Sequence, residues 1–366
     1  MSEIVQIKGR ANLPTKGDQM KAVVIHSPND LRVESQAPAP VPAQGEVRVD
    51  ILRGGICGSD LHYFHHGGFG TVRLKEPMIL GHEVSGRIAE VGAGVSGLAV
   101  GDNVAINPSV PCGECEYCQR GKRNQCLDMR FFGSAMRFPH QQGLFRQSVT
   151  LPAQQAVKLG AGTDLGHAAI AEPFAVCLHA VAQAGDFRGK RVLVSGCGPI
   201  GCLTVLAAAQ AGAAEIIATD LSPSPLAIAA RMGAGQTIDL SADPTALDLL
   251  AAPKGNIDVV FECSGNVHGI AAACRVVRAG GTIVTVGLGP DVPMPLGLIV
   301  TKEINMIGSF RFDEEFALAV QMIDRGVVDV SPLITGTFPI EASLAAFTLA
   351  SDRARAMKVQ IDLTRV

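Results

Sequence analysis

The 366-residue chain lacks a charge surplus of either sign: 31 Lys and Arg stand against 34 Asp and Glu, a formal net charge of −3. That near balance removes the electrostatic reason to expect a nucleic acid or an anionic membrane as partner. An unbroken apolar span is also missing. The most apolar region, 192–218, is interrupted by Gly196, Gly198, Pro199, Gly201 and Gly212. It reads as a buried strand, a turn and a helix rather than a membrane crossing. The first residues do not show the basic, apolar, small-residue order of a secretory signal. Residues 1–19, MSEIVQIKGRANLPTKGDQ, read instead as a polar, disordered leader before a strand-like start at Met20. A cytoplasmic location is expected. The sequence has neither internal repeats nor low-complexity tracts, and 47% hydrophobic content over this length suits two domains with sizeable cores.

Cysteine is too sparse for a disulfide scaffold, with ten in the chain, and a cytoplasmic address disfavours disulfides anyway. Cys57, Cys177, Cys197, Cys202, Cys263 and Cys274 are scattered singly. The other four crowd into PCGECEYCQRGKRNQC, residues 111–126, spaced C-x2-C-x2-C-x7-C. Four thiolates this close can surround one tetrahedral zinc, leaving no position for water, so Cys112, Cys115, Cys118 and Cys126 are expected to hold a structural zinc. Gly113 and Gly121 let so short a loop turn. A paired-cysteine redox centre would need no third and fourth partner. A nucleic-acid zinc ribbon would sit in a basic or aromatic surface, whereas Glu114, Glu116, Arg120, Lys122 and Arg123 mix both signs.

A second constellation is spread along the chain. GGICGSDLHYF (54–64) and MILGHEVSGRIAEVG (78–92) supply Cys57 and His82, a thiolate and an imidazole of the kinds that hold catalytic zinc. The third ligand could be Glu83, beside the histidine, or Glu172, a carboxylate inside the apolar segment IAEPFAVCLHA. An unpaired carboxylate in such surroundings is costly unless metal-bound. Three protein ligands would leave a fourth position open. Ser59 could take a proton from an oxygen bound there, and His62 could pass it to solvent. His65 and His66 read as ordinary loop histidines.

KRVLVSGCGPIGCLTVLAAAQAGAAEIIATDLS, residues 190–222, joins a strand to Gly196-x-Gly198-x-x-Gly201, then to a helix and a second strand closing on Asp220. In that context the glycine pattern marks a dinucleotide site: backbone N–H groups and a helix N-terminus meet the pyrophosphate, and the acid meets the adenosine ribose. Asp220 would repel a 2′-phosphate, and neither Arg nor Lys lies between it and Arg231. NAD is therefore favoured over NADP. Further strands, IDVVFECSG, GTIVTVGLG and INMIGSF, argue a doubly wound parallel sheet. The first ~170 residues show short strands between Gly and Pro turns and read as a partly open β-barrel. The tail, FPIEASLAAFTLASDRARAMKVQIDL, offers a helix and a last strand that could return to it.

GGICGSDLHYF, GHEVSG, the four-cysteine lobe, AEPFAV and SGCGPIG together closely resemble the zinc-dependent medium-chain alcohol and polyol dehydrogenases. The likeness runs from Met20 to the end and is nearest the sorbitol and L-idonate branch; FFGSAMRFPHQQGLF (131–145) is similar to L-idonate 5-dehydrogenases in particular. The resemblance implies a GroES-like catalytic domain, residues 20–172 and 311–366, around an inserted Rossmann domain, 173–310. It implies two zinc ions per chain, NAD and a sugar-acid or polyol substrate, with a homodimer or homotetramer as the assembly. Its expected chemistry is oxidation of L-idonate to 5-keto-D-gluconate, or of sorbitol or another polyol by the same route. The proton would leave through Ser59, a cofactor ribose hydroxyl and His62. Cofactor contacts are expected at Gly196, Gly198, Pro199, Ile200, Gly201, Asp220, Val286, Gly287, Ser309 and Arg311. Tyr63 and Arg311 match substrate-side positions. An aldonate carboxylate calls for a cation or several donors, and Arg137 and His140 in 131–145 are candidates. A zinc-free quinone reductase would not need Cys57, His82 or the four-cysteine lobe, and a non-enzymatic NAD sensor would not need Ser59 and His62 as well.

Overall fold

The computed structural model describes residues 19–186 and 188–365; the leader expected at 1–19 lies, up to residue 18, outside them. Two sheets carry the architecture. The first is all-parallel and six-stranded. In chain order its strands are Arg191–Ser195, Glu215–Asp220, Gln236–Asp239, Ile257–Glu262, Val277–Thr285 and Asn305–Gly308, and across the sheet they run third, second, first, fourth, fifth, sixth. The short strand Gln236–Asp239 has only one buried residue, Ile238, which is why the apolar pattern did not announce it.

Alternation decides how this sheet is covered. Val192, Val194, Ile216, Ala218, Val259 and Phe261 join one core with helices Ala171–Gln183, Pro199–Gln210 and Glu315–Asp324. Leu193, Ile217, Val260 and Ile283 point the other way, against helix Val267–Val276. Both faces are buried, so these strands read as continuous apolar runs.

The second sheet is seven-stranded and mostly antiparallel. Its main path runs Ala156–Lys158, Asn103–Ile106, Glu83–Val91, Glu46–Gly55, Lys358–Asp362, Ile334–Pro339, with Ser148–Pro152 also pairing Glu46–Gly55. Strands Met20–Ser27, Asp30–Gln36 and Met78–Ile79 form a separate three-stranded sheet. The last strand of the chain therefore closes on Glu46–Gly55, with Gln360 opposite Gly55 and Asp362 opposite Arg53. Helix Ala171–Gln183 spans the expected boundary at 172/173. Its first turn carries Glu172, while Ala175, Leu178 and Val181 join the core beside the parallel sheet.

Candidate active site and the two cysteine centres

Gly58–His66 is a nine-residue helix with Cys57 at its N-cap, and Gly67 closes it at φ +66. The side chain that organises this start is Asp60, fully buried. Its carboxylate accepts the N–H of Cys57 at 3.0 Å and of Gly81 at 3.1 Å, and it stands 3.9 Å from His82 Nδ1. One carboxylate thus fixes the two loops that present Cys57 and His82. Gly81 has φ +90, and a Cβ there would lie 2.2 Å from Phe145, so the turn tolerates only glycine.

Candidate ligand atoms of Cys57, His82 and Glu83 all lie within 4.8 Å of one another. Glu172 is outside that tight group. Burial pushes its carboxyl up to about 8, with Glu83 and Cys57 adding to the shift while His82 and Lys358 oppose it. Burial likewise raises the Cys57 thiol to about 12, helped by the charge of Glu83. Nδ1 of His82 and Oε2 of Glu83 are buried with no hydrogen-bond partner. Unpartnered lone pairs and crowded acidic groups are what a divalent cation would satisfy, so these residues fit a zinc ion.

Lys358 supplies a cation that the sequence did not reveal. Its side chain is 3% exposed, and Nζ donates to Glu83 Oε1 at 2.7 Å and to the Ile56 carbonyl at 3.2 Å. In KVQID the lysine alternates with apolar residues and would ordinarily point to water. Here the polar face is covered too: Gln360, on the same face, donates to the Gly166 carbonyl at 2.7 Å. Ser59 follows two residues after Cys57, and its hydroxyl slightly offsets the rise of the Cys57 thiol. His62 sits three residues on, on the same side of the helix. It is exposed, but partial burial and the neighbouring His66, Arg353 and His65 hold its pKa below 6.5.

Arg311 adopts φ +55, a left-handed conformation rare for a residue with a side chain. Its guanidinium stacks on Phe131 at 4.2 Å and Phe310 at 4.9 Å and donates to Met136 Sδ at 3.0 Å. Phe131 in turn lies 5.4 Å from the His82 ring. Arg311 therefore stands one aromatic ring from the metal cluster. No carboxylate among the described residues pairs with it.

Three of the expected substrate residues are placed otherwise. Tyr63 is 1% exposed and its hydroxyl accepts the Ala135 N–H at 2.9 Å, so it props the 131–145 segment from beneath. His140 is buried, with Nδ1 donating to the Arg137 carbonyl at 2.7 Å and Nε2 accepting the Lys75 N–H at 2.8 Å. Both ring nitrogens are engaged and neither is left for a ligand. Arg137 pairs with Asp128 at the surface. The segment instead reaches Arg311 through Phe131 and Met136.

In the four-cysteine lobe the Sγ separations are 3.5 Å for Cys112–Cys126 and 4.0 Å for both Cys112–Cys118 and Cys115–Cys126. Disulfides need about 2.05 Å. Four sulfurs 2.3 Å from a tetrahedral zinc would be about 3.8 Å apart. The cysteines are unpaired and fit that geometry. Of the four only Cys126 is buried, and helix Glu116–Gln119 has no buried residue at all.

At the parallel sheet, Gly198 caps helix Pro199–Gln210, with Pro199 as its first residue. Gly196 has φ +87, and a Cβ on Gly201 would lie 1.8 Å from the Gly196 carbonyl. Around Gly198, by contrast, a Cβ would meet nothing within 4 Å. That open cradle at a helix N-terminus fits a pyrophosphate. Ile200 packs beneath, its carbonyl accepting from Thr204 Oγ1 at 2.8 Å. Asp220 accepts the Cys197 N–H at 2.7 Å, which ties the second strand to the glycine turn. Buried Glu262, which sequence reasoning missed, holds the facing turn through the N–H groups of Ser264 and Gly265 at 2.9 and 3.0 Å. Val286 is buried, Gly287 abuts Gly265, and Ser309 Oγ is buried without a partner.

Comparison with known proteins bears on this arrangement. Residues 43–161 match the alcohol dehydrogenase GroES-like domain and 199–325 the zinc-binding dehydrogenase domain. L-idonate 5-dehydrogenase (NAD(P)(+)) of Escherichia coli K12 is 45% identical over 86% of this chain and 90% of its own length. Sorbitol dehydrogenase of Gallus gallus is 36% identical over 94% of this chain and 96% of its own. The crystal structure of the E. coli L-idonate 5-dehydrogenase superposes with a TM-score of 0.89 at 42% identity, covering 94% of this chain and 98% of that one. With both domains matched in order and relatives aligned along nearly its whole length, this chain belongs to the zinc-binding medium-chain dehydrogenases.

Proposed function

We propose that this protein oxidises L-idonate to 5-keto-D-gluconate, with NAD as the favoured hydride acceptor. The observation that carries this reading is the unpaired Arg311 guanidinium, one ring away from His82. Among the described residues the only carboxylate whose charge acts on it is the more distant Glu172, and a sugar acid brings one that it can bind directly. Cys57, His82 and Glu83 would hold the catalytic zinc, with Glu172 at its edge, and Cys112, Cys115, Cys118 and Cys126 the structural one. When bound, the catalytic zinc supplies Lewis acidity toward the substrate hydroxyl and the dinucleotide supplies the hydride acceptor. The chain does the rest. Ser59 Oγ takes the hydroxyl proton as it gives up its own, and His62, largely neutral at pH 7, accepts the relayed proton and releases it toward solvent. Phe131 and Met136 hold the Arg311 side chain in place beside the cluster.

The two sheets support a catalytic unit of residues 20–172 and 311–366 around a dinucleotide unit of 173–310. Ten unpaired cysteines support a reducing, cytoplasmic setting, and no described helix is long and apolar enough to cross a membrane. A homodimer or homotetramer completes the reading.

Initial rates at 340 nm with L-idonate, sorbitol and other polyols, each with NAD and NADP, test it. L-idonate with NAD should give the highest kcat/KM, and a neutral polyol in first place would replace the substrate by the polyol alternative. Arg311→Ala should raise KM for L-idonate about 10- to 100-fold, the weight of a charge-assisted hydrogen bond pair. Sorbitol should change much less.

A further inference from the structure

The four-cysteine lobe is joined to Arg311 by a polar network. In the turn Arg123–Gln125, just before Cys126, Arg123 donates its N–H to Asp313 Oδ2 at 3.0 Å and its Nε to Asp313 Oδ1 at 2.6 Å. Its Nη2 reaches Glu314 Oε1 at 3.0 Å. Asn124 Nδ2 donates to the Phe310 carbonyl at 2.9 Å. Glu315 completes the frame: it accepts the Asp313 N–H at 2.8 Å and pairs with His179 Nδ1 at 2.9 Å. These bonds grip the chain one residue before Arg311 and two residues after it.

Arg311 needs such a grip. A left-handed, non-glycine backbone is strained and persists only where its surroundings over-determine it. The side chain itself is held by softer contacts, two ring faces and a thioether. The lobe, for its part, has almost no core of its own: neither its helix nor the Arg123–Gln125 turn has a buried residue. Its shape depends on the four sulfurs, and Cys126 directly follows the turn that carries Arg123 and Asn124.

We propose that the four-cysteine lobe is a specificity device as well as a structural one: through Arg123 and Asn124 it locks the backbone of Arg311, and so sets the enzyme's preference for an anionic substrate. Arg123 and Asn124 are positioning residues in this scheme. They act through Arg311 and touch neither substrate nor cofactor. The inference rests on Arg311 receiving the substrate carboxylate.

The test uses the zinc-loaded, full-length enzyme carrying Arg123→Ala, Asn124→Ala or Arg311→Ala. Two readouts are taken: KM and kcat for L-idonate and for sorbitol, and amide hydrogen exchange of a peptide covering 309–316. The first two variants should raise KM for L-idonate by about 5- to 30-fold, Arg123→Ala toward the upper end because its bonds go to carboxylates and Asn124→Ala toward the lower end because its bond goes to a neutral carbonyl. They should leave kcat and sorbitol kinetics within about twofold, and exchange across 309–316 should speed up. Asp313→Ala should give the same pattern, and combined with Arg123→Ala it should add less than the sum of the two, because both remove the Arg123–Asp313 ion pair. Unchanged exchange in Arg123→Ala and Asn124→Ala would overturn the lock. So would equal losses on both substrates, which would mark the lobe as a general stabiliser. Faster exchange, with Arg311→Ala nonetheless indifferent to L-idonate, would keep the lock and remove the carboxylate reading beneath it.

Discussion

The two cysteine-bearing centres differ in how they are assembled. The lobe takes its four sulfurs from fifteen consecutive positions, 112–126, and buries only the last of these cysteines, the other three being half-buried. The cluster at Cys57 draws on a helix cap, the loop that opens strand Glu83–Val91, the first turn of helix Ala171–Gln183 and the last strand, and all but the half-buried Cys57 are buried. The local centre can form as soon as its loop does and needs the metal for shape. The dispersed centre exists only after the antiparallel sheet has closed, and it receives its shape from buried carboxylates and a lysine. A metal lost from the first should therefore cost structure. From the second it should cost chemistry.

The largest expected effects separate the centres directly. Cys57→Ala should lower kcat by about 10^3-fold or more, the scale of several kcal/mol of lost Lewis-acid stabilisation, while circular dichroism and melting temperature stay near wild type. Cys115→Ser should do the reverse, lowering the melting temperature first. Fresh protein should contain two zinc ions per chain, the one at Cys57 exchanging faster under mild chelation. Equal lability, or one zinc in total, would break the contrast.

Next in size is Lys358→Met. Removing one partner of a buried ion pair strands Glu83 and should destabilise the fold by about 3–5 kcal/mol in denaturant titration. Adding zinc should return part of that, since the metal can take up the freed carboxylate. Lys358→Arg should sit between the two. No response to zinc would mean that Glu83 is not a ligand, and Glu172 would take its place.

His62→Ala should slow turnover about 10- to 100-fold, within the range of general acid–base contributions. The sign with pH follows from its lowered pKa: the neutral, proton-accepting form persists below pH 6.5, so the wild type should hold its rate into mildly acid solution while the variant falls away. Imidazole buffer should restore part of the loss. A variant with unchanged turnover and pH profile would make His62 a surface histidine. The smallest effect concerns the dinucleotide. Asp220→Ala should cut the NAD over NADP preference by about tenfold, one hydrogen bond from a charged group. A wild type that favours NADP would contradict the role of Asp220.

Legibility followed the range of the interactions. The glycine turn with its strand, helix and acid was readable because all of it lies in 31 consecutive positions, 190–220. Strand Lys358–Asp362 was readable as a strand, but nothing local says that its polar face would be covered and that Lys358 would meet Glu83, 275 residues away. Asp60 stands in GGICGSDLHYF between Ser59 and Leu61 with nothing local to mark it, because its two backbone partners, Cys57 and Gly81, come from different loops. Arg137 and His140 were misread for the same reason. Their charge and position suggested a ligand, and only the packing shows that Asp128, Lys75 and Arg137's own carbonyl already occupy them.

By itself, then, the sequence determined the two-sheet plan, the four-sulfur lobe, the dinucleotide turn and the residue types at the metal cluster, because each is written in short spacings and buried periodicity. Only the tertiary structure decided which carboxylate stands close to Cys57 and His82, which cation answers it, and that Arg137 pairs with Asp128 while Arg311 stacks on Phe131 beside His82. Those choices depend on desolvation and pairing between segments far apart in the chain, and a group's partners are set by the fold that brings the segments together.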